Sequence, residues 1–200
     1  MDNHSTMNVD EESGYLGLYI GSMFSGKTSR LQQLHRQYTY CGVPTLVINY
    51  IEDSRYDEAT NMATHDKIMI PCVTAHMLSE INSFDAEPSD AFKSAKVILI
   101  NEGQFYPDVV EWVTKAISPP YNKVVHVCGL DGDFRTEKFG NFLDLVPKSD
   151  KVEKLTAICA RCKTKPGIFS HRLTGETAQK VIGADCYQPL CRLCHWNANK

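Results

Sequence analysis

Apolar positions along the chain fall into short runs separated by helical or polar stretches. Tyr15-Leu16-Gly17-Leu18-Tyr19-Ile20 reads as a strand, and a helical pattern carrying Leu31 and Leu34 follows over about residues 27–40. Cys41-Gly42 stops that helix, and Pro44 opens a second strand, Thr45–Asn49. Residues 50–66 keep neither period and read as a polar loop. Ile68–Val73 is expected as a short strand, residues 75–82 as a helix and Asp85–Asp90 as turns. Val97-Ile98-Leu99-Ile100 is an unbroken apolar run, the mark of a parallel strand buried on both faces. A helix starting near Pro107 carries Val109, Val110, Trp112, Val113 and Ile117 until Pro119-Pro120 breaks it. Val124–Cys128 is another buried strand. Strands alternating with helices predict an α/β fold on a doubly wound parallel sheet, with ligands at the carboxyl ends of the strands.

From about residue 152 the pattern changes. Val152–Ile158, Ile168–Leu173 and Gln179–Ile182 read as short strands between paired cysteines, a small β appendage rather than another strand–helix unit. The expected organisation is a disordered tail at 1–13, an α/β nucleotide-binding domain at 14–151, a zinc-binding unit at 152–196 and a tail at 197–200. A chain of 200 residues suits one domain with such an appendage. No apolar run approaches the ~18 residues needed to span a bilayer. The polar, acidic start lacks the features of a signal peptide, so a cytoplasmic protein is expected. Charge is uneven: residues 1–146 carry 11 Lys/Arg and 20 Asp/Glu, residues 147–200 carry 10 and 4. A basic, cysteine-bearing end keeps a nucleic-acid module in view.

Between the first strand and first helix stands Gly21-Ser22-Met23-Phe24-Ser25-Gly26-Lys27-Thr28, a G-x4-G-K-[ST] phosphate-binding loop. Its glycines let backbone N–H groups converge on phosphate oxygens, and the following helix turns its positive end to the same anion. Lys27 is expected on the β/γ-phosphates and the Thr28 hydroxyl on Mg²⁺. Asn101 and Glu102 end a buried strand where such proteins place the residues of the Mg²⁺ shell, and Glu102 is the natural general base for an attacking hydroxyl. Phe105, Tyr106, Phe134, Phe139 and Tyr187 suggest a flat, uncharged ring as second substrate. Cys159-x2-Cys162 and Cys191-x2-Cys194 have the spacing of a closed, structural tetrathiolate Zn²⁺ site. Redox pairs and disulfides are the alternatives, and His195 is a competing fourth ligand. A GTPase is disfavoured because Asn122-Lys123 is followed by Val124-Val125 rather than completing N-K-x-D.

Taken together, G-S-M-F-S-G-K-T, D-S-R-Y…T-H-D, I-N-E-G-Q-F-Y-P-D, L-D-G-D-F…K-F-G, L-V-P, the four cysteines and V-I-G-A-D-C-Y resemble the type II thymidine kinase family, over roughly residues 15–196. The resemblance implies transfer of the γ-phosphoryl of ATP to the 5′-hydroxyl of thymidine with Mg²⁺, structural zinc, a homotetramer and feedback by dTTP. It implies neither a nucleic-acid nor a membrane partner. By motif it makes Glu102 the catalytic base and Asp53-Ser54-Arg55 the phosphate-side D-x-R element. Gly103 and Gln104 fall on the nucleotide side, Met23, Leu130, Phe134 and Tyr187 line the thymine pocket, and Phe105 and Phe139 form its wall. Ser170 falls near the thymine methyl, and Gln179, Lys180, Val181, Ile182 and Gly183 form a lasso gripping the base through backbone groups. Two departures stand out: Asn101 replaces the family's Asp, and a single Gly183 replaces its usual pair.

Overall fold

A computed structural model describes residues 13–52, 61–63, 69–181 and 186–200. The elements are β1 (Tyr15–Gly21), α1 (Lys27–Tyr40), β2 (Thr45–Tyr50), β3 (Asn61–Ala63), β4 (Met69–Pro71), β5 (Val73–Ala75), α2 (Asp90–Ser94), β6 (Val97–Ile100), α3 (Val109–Ile117), β7 (Val124–Gly129), β8 (Lys151–Leu155), β9 (Ala157–Ile158), β10 (Pro166–Gly167), β11 (Phe169–Arg172), β12 (Tyr187–Leu190) and α4 (Arg192–Ala198). Six strands form one parallel sheet in the order β5-β2-β6-β7-β1-β8. The unbroken apolar runs lie at its centre because both faces there are covered. Ile98, Ile100, Val125 and Val127 pack with Trp112 and Val113 of α3 on one face. Val97, Leu99, Val124 and Cys128 pack with Leu31 and Leu34 of α1 on the other. The alternation of side chains along each strand divides its residues between these two cores.

His126 breaks the apolar run of β7 and is fully buried on the α1 side. The Tyr19 hydroxyl lies 3.3 Å from its Nδ1 and the Tyr38 hydroxyl 3.0 Å from its Nε2, so the ring is partnered on both sides. Burial, reinforced by Arg30 and Lys151, pushes the imidazole down to about 3.

Several expected elements differ. The strand expected over 68–73 is two: β4 pairs antiparallel with β3, while β5, beyond Cys72, pairs parallel with β2. The helix expected over 75–82 is one 3-10 turn, Leu78–Glu80. β5 takes up its first residue, and the Asp108 carboxylate accepts the N–H groups of Leu78 and Ser79, fixing the turn from outside. The strand expected over 152–158 divides at Thr156. Its first part is β8, the sixth strand of the main sheet beside β1, and only β9 belongs to the ribbon. Gln179–Val181 is not a strand; β11 pairs instead with β12. Cys194 lies within α4, which runs to Ala198 and takes up part of the expected tail.

Candidate functional site

The loop after β1 owes its path to two glycines. A Cβ on Gly21 would sit 2.2 Å from the Leu155 carbonyl oxygen, so neighbouring β8 excludes any side chain there. Gly26 caps α1 at φ +87°, a backbone region that L side chains rarely adopt. Within the loop Lys27, nearly buried, donates to the Ser22 carbonyl at 2.7 Å. Ser25 Oγ is buried and, among the described residues, has no hydrogen-bond partner, at the N-terminal end of α1. A hydroxyl without a protein acceptor, beside a helix start and a lysine, fits a phosphate group. Thr28 follows in the first turn of α1, half-buried.

At the end of β6 the backbone turns sharply. Glu102 adopts φ +55° and is 7% exposed, and its Oε2 accepts a 2.6 Å hydrogen bond from Gln104 Nε2. Gln104 uses its other end to accept the Leu130 N–H at 3.0 Å. The amide placed on the nucleotide side by motif thus joins the candidate base to the backbone of a pocket residue. Asn101 is buried, donating through Nδ2 to Asn49 Oδ1 at 2.8 Å and accepting the Cys128 thiol at 3.0 Å. Its amide ties together the ends of β2, β6 and β7. Gly103 begins the 3-10 turn beyond Glu102.

Four of the five aromatic residues fall into two groups. Phe105 meets Phe139 edge to face at 5.4 Å and Tyr50 at 5.0 Å. Phe134 lies under Arg172, whose guanidinium carbon is 3.8 Å from the ring centroid. The Tyr187 hydroxyl accepts from Arg172 and donates to the Val181 carbonyl at 3.3 Å. Tyr106, by contrast, is fully buried in the core.

The ribbon is bonded directly to the phosphate-binding loop. Ser170 Oγ accepts the Met23 N–H at 2.9 Å, and Ser22 Oγ donates to the Gly167 carbonyl at 2.8 Å. Gln179 reaches Asp133 Oδ2 at 2.9 Å, while the Asp133 Oδ1 also accepts the N–H groups of Arg135 and Glu137. Lys180 donates to Tyr50 Oη at 3.0 Å and Glu52 Oε2 at 2.6 Å, and its ammonium holds the Glu52 carboxyl below the usual range. Asp53, Ser54, Arg55, Ile182 and Gly183 lie outside the described residues.

Beneath the ribbon, the sulfurs of Cys159, Cys162, Cys191 and Cys194 lie within 4.8 Å of one another. The Thr164 side chain pulls the Cys162 thiol down to about 6, while Cys191 pushes Cys194 up to about 12. Crowded thiols cannot all ionise unaided; a divalent cation bound there would supply the opposing charge, and this donor set fits tetrahedral zinc. His195 instead packs against Phe169 at 4.9 Å and His171 at 5.7 Å. None of the eight cysteines forms a disulfide.

Sequence reasoning missed Asn49, Tyr50, Glu52, Asp133 and Arg172. Arg172 was marked by strand period: it shares with Ser170 the buried face of β11, whereas Phe169 and His171 alternate to the other. Asp133 stood inside the D-G-D-F motif.

These features define a class: a P-loop α/β protein with an acidic group at a neighbouring strand end and a tetrathiolate ribbon against its loop. A family model described as thymidine kinase matches residues 14–195. The thymidine kinase of Yaba monkey tumor virus (strain VR587) is 37% identical over 192 residues, covering 96% of this chain and 99% of that protein. Those of Variola virus and Vaccinia virus (strain Western Reserve) are 39% and 38% identical over 183 residues, covering 91% of this chain and 97% of each. The chain belongs to the thymidine kinase family.

Proposed function

We propose that this protein transfers the γ-phosphoryl group of ATP to the 5′-hydroxyl of thymidine. The observation that carries the reading is the connection Glu102–Gln104–Leu130 N–H at the carboxyl ends of the strands, where the phosphate-binding loop also begins. A carboxylate aimed by an amide that is itself anchored to the pocket backbone suits proton removal from a hydroxyl bound there. Lys27 and the loop N–H groups hold the transferring phosphates, and the Thr28 hydroxyl contributes to the Mg²⁺ shell. Mg²⁺ supplies charge neutralisation between the phosphates. Phe105, Phe139, Leu130 and Met23 enclose the base, and Gln179–Val181 approach it as backbone. Asp53, Ser54, Arg55, Ile182 and Gly183 are assigned to the same site by motif.

Zn²⁺ at the four cysteines stiffens the ribbon that carries Ser170 and the lasso. A thiolate zinc site is kept in a reducing compartment, which supports action in the cytoplasm. Among the described residues no helix is long and apolar enough to cross a membrane. A homotetramer and feedback by dTTP are further parts of this reading, supported by family membership.

The rival, a zinc-ribbon protein acting on nucleic acid, needs a basic face available to phosphates. Several basic residues of the terminal segment are engaged instead: Lys151 with Glu153, Lys154 with Asp131, Lys180 with Glu52, and Arg172 inside the ribbon. Transfer of labelled phosphate from ATP-Mg²⁺ to a panel of nucleosides, with nucleic-acid-stimulated ATP hydrolysis in parallel, tests the two. Phosphorylation led by thymidine is expected; stimulated hydrolysis without nucleoside phosphorylation would overturn the reading.

A further inference from the structure

The segment after β11 has no regular hydrogen-bond ladder among its described residues, so its backbone carbonyls must find partners elsewhere. Three of them converge on one side chain. Arg172 Nη1 donates to the carbonyls of Glu176, at 2.9 Å, and Ala178, and Nη2 donates to that of Gln179 at 2.9 Å. Nε and Nη2 also reach the Tyr187 hydroxyl, at 3.2 and 2.6 Å. All five guanidinium N–H donors are therefore filled. The Tyr187 hydroxyl passes the connection on to the Val181 carbonyl, and Arg135 Nη2 takes the Thr177 carbonyl at 2.6 Å. The group is 5% exposed and stacks on Phe134.

We propose that Arg172 is the positioning residue of the nucleoside site: its planar fork holds the 176–181 backbone in place and fixes Phe134 against it. The proposal rests on the reading of Gln179–Gly183 as the base-gripping lasso, of which Gln179–Val181 belong to this segment. Three carbonyls, a hydroxyl and a ring face are met by one rigid planar group, a geometry that lysine's ammonium cannot reproduce. Zinc secures the base of the ribbon, whereas Arg172 determines where the loop beyond it lies. Residues 176–181 are joined to the phosphate-binding core by Gln179–Asp133 and Lys180–Glu52, so they carry the placement set by Arg172 across to the sheet edge.

Arg172→Lys and Arg172→Met in the full-length protein test this. Hydrogen exchange of residues 174–181, measured without nucleoside, should accelerate at least ~10-fold in both variants, because a loop whose carbonyls are released by Arg172 opens more often. The KM for thymidine should rise ~10-fold or more in Arg172→Lys and further in Arg172→Met, with zinc content and the KM for ATP unchanged. Arg172→Lys keeps the charge and the stem, and carries the test should the methionine variant fail to fold. Unchanged exchange and unchanged thymidine KM would overturn the proposal. So would a parallel rise in the KM for ATP or a loss of zinc, because the effect would then be general loosening of the ribbon. The exchange measurement reads the clamp whatever the substrate is: accelerated exchange in a protein that does not phosphorylate thymidine would overturn the functional reading and leave the clamp standing.

Discussion

Leu16, Leu18, Ile98 and Ile100 on one face of the sheet, and Leu31, Leu34, Val97 and Leu99 on the other, are wholly buried. Among the described residues the buried apolar cluster of the ribbon contains only Cys159, Leu190 and Cys191, and Ile158, Leu173, Leu193 and Trp196 are exposed around it. The two regions touch at the phosphate-binding loop yet are held by different physics. Each buried leucine or isoleucine of the sheet contributes roughly 1.5–3 kcal/mol without regard to direction. That suffices to seat strand ends, where turns and local hydrogen bonds then aim Lys27 and Glu102. The ribbon is too small for a comparable core and uses directional links: a thiolate cluster at its base and the Arg172 donors along its loop. On the proposed reading the sheet carries the phosphate chemistry, whereas nucleoside selection would depend on cross-links that one substitution or a chelator can remove.

The largest expected effect falls on the sheet side. Glu102→Gln should lower kcat by ~10²–10⁴-fold with nucleotide binding retained. Turnover within about threefold of wild type, in steady-state assays, would remove Glu102 from the chemistry and leave the sheet with binding alone.

Chelation should affect the other side. The protein should carry about one zinc per chain. Its removal should raise the KM for thymidine before that for ATP and make the C-terminal third protease-sensitive before the core. Metal analysis with limited proteolysis decides this; fully active metal-free protein would erase the contrast between the regions.

The third prediction concerns the sheet alone. His126 is held neutral, with its pKa depressed to about 3, among Tyr15, Tyr19, Tyr38, Arg30 and Lys151. The unfolded chain takes up a proton near pH 6.5 that the folded chain refuses. This group's contribution to stability is therefore present above that pH and is lost as pH falls toward 3, by up to about 1.4 kcal/mol per pH unit. Denaturant melts from pH 7 to 4 should show the slope in wild type and a shallower one in His126→Gln. Equal slopes would mean that other groups dominate.

Asn101→Asp should have the smallest effect. A carboxylate near the metal favours Mg²⁺, but it loses the donor now given to Asn49, so a gain in apparent Mg²⁺ affinity of a few-fold is expected at some cost in stability. Magnesium titration of activity reads it. Destabilisation with no change in Mg²⁺ dependence would make Asn101 purely a link between strands.

The sequence alone determined the four central strands β1, β2, β6 and β7 and the phosphate-binding loop. The signals are local: four consecutive apolar residues at Val97–Ile100 and glycines at fixed offsets around Lys27 describe their surroundings within a few positions, as do the cysteine pairs with two residues between them. Asn101 and Glu102 were legible as a strand end for the same reason. Tertiary structure decided what those local signals leave open. Lys151–Leu155 could be assigned to the main sheet only once β1 offered a free edge, and Gln104 shows its partners only when Leu130, far along the chain, is folded beside it. Arg172 is the strongest case. Strand period sets it on the same face as Ser170 but does not say what it bonds, because its partners are backbone carbonyls and carbonyls carry no sequence signature. Only the curl of the loop around its guanidinium makes it a buried residue.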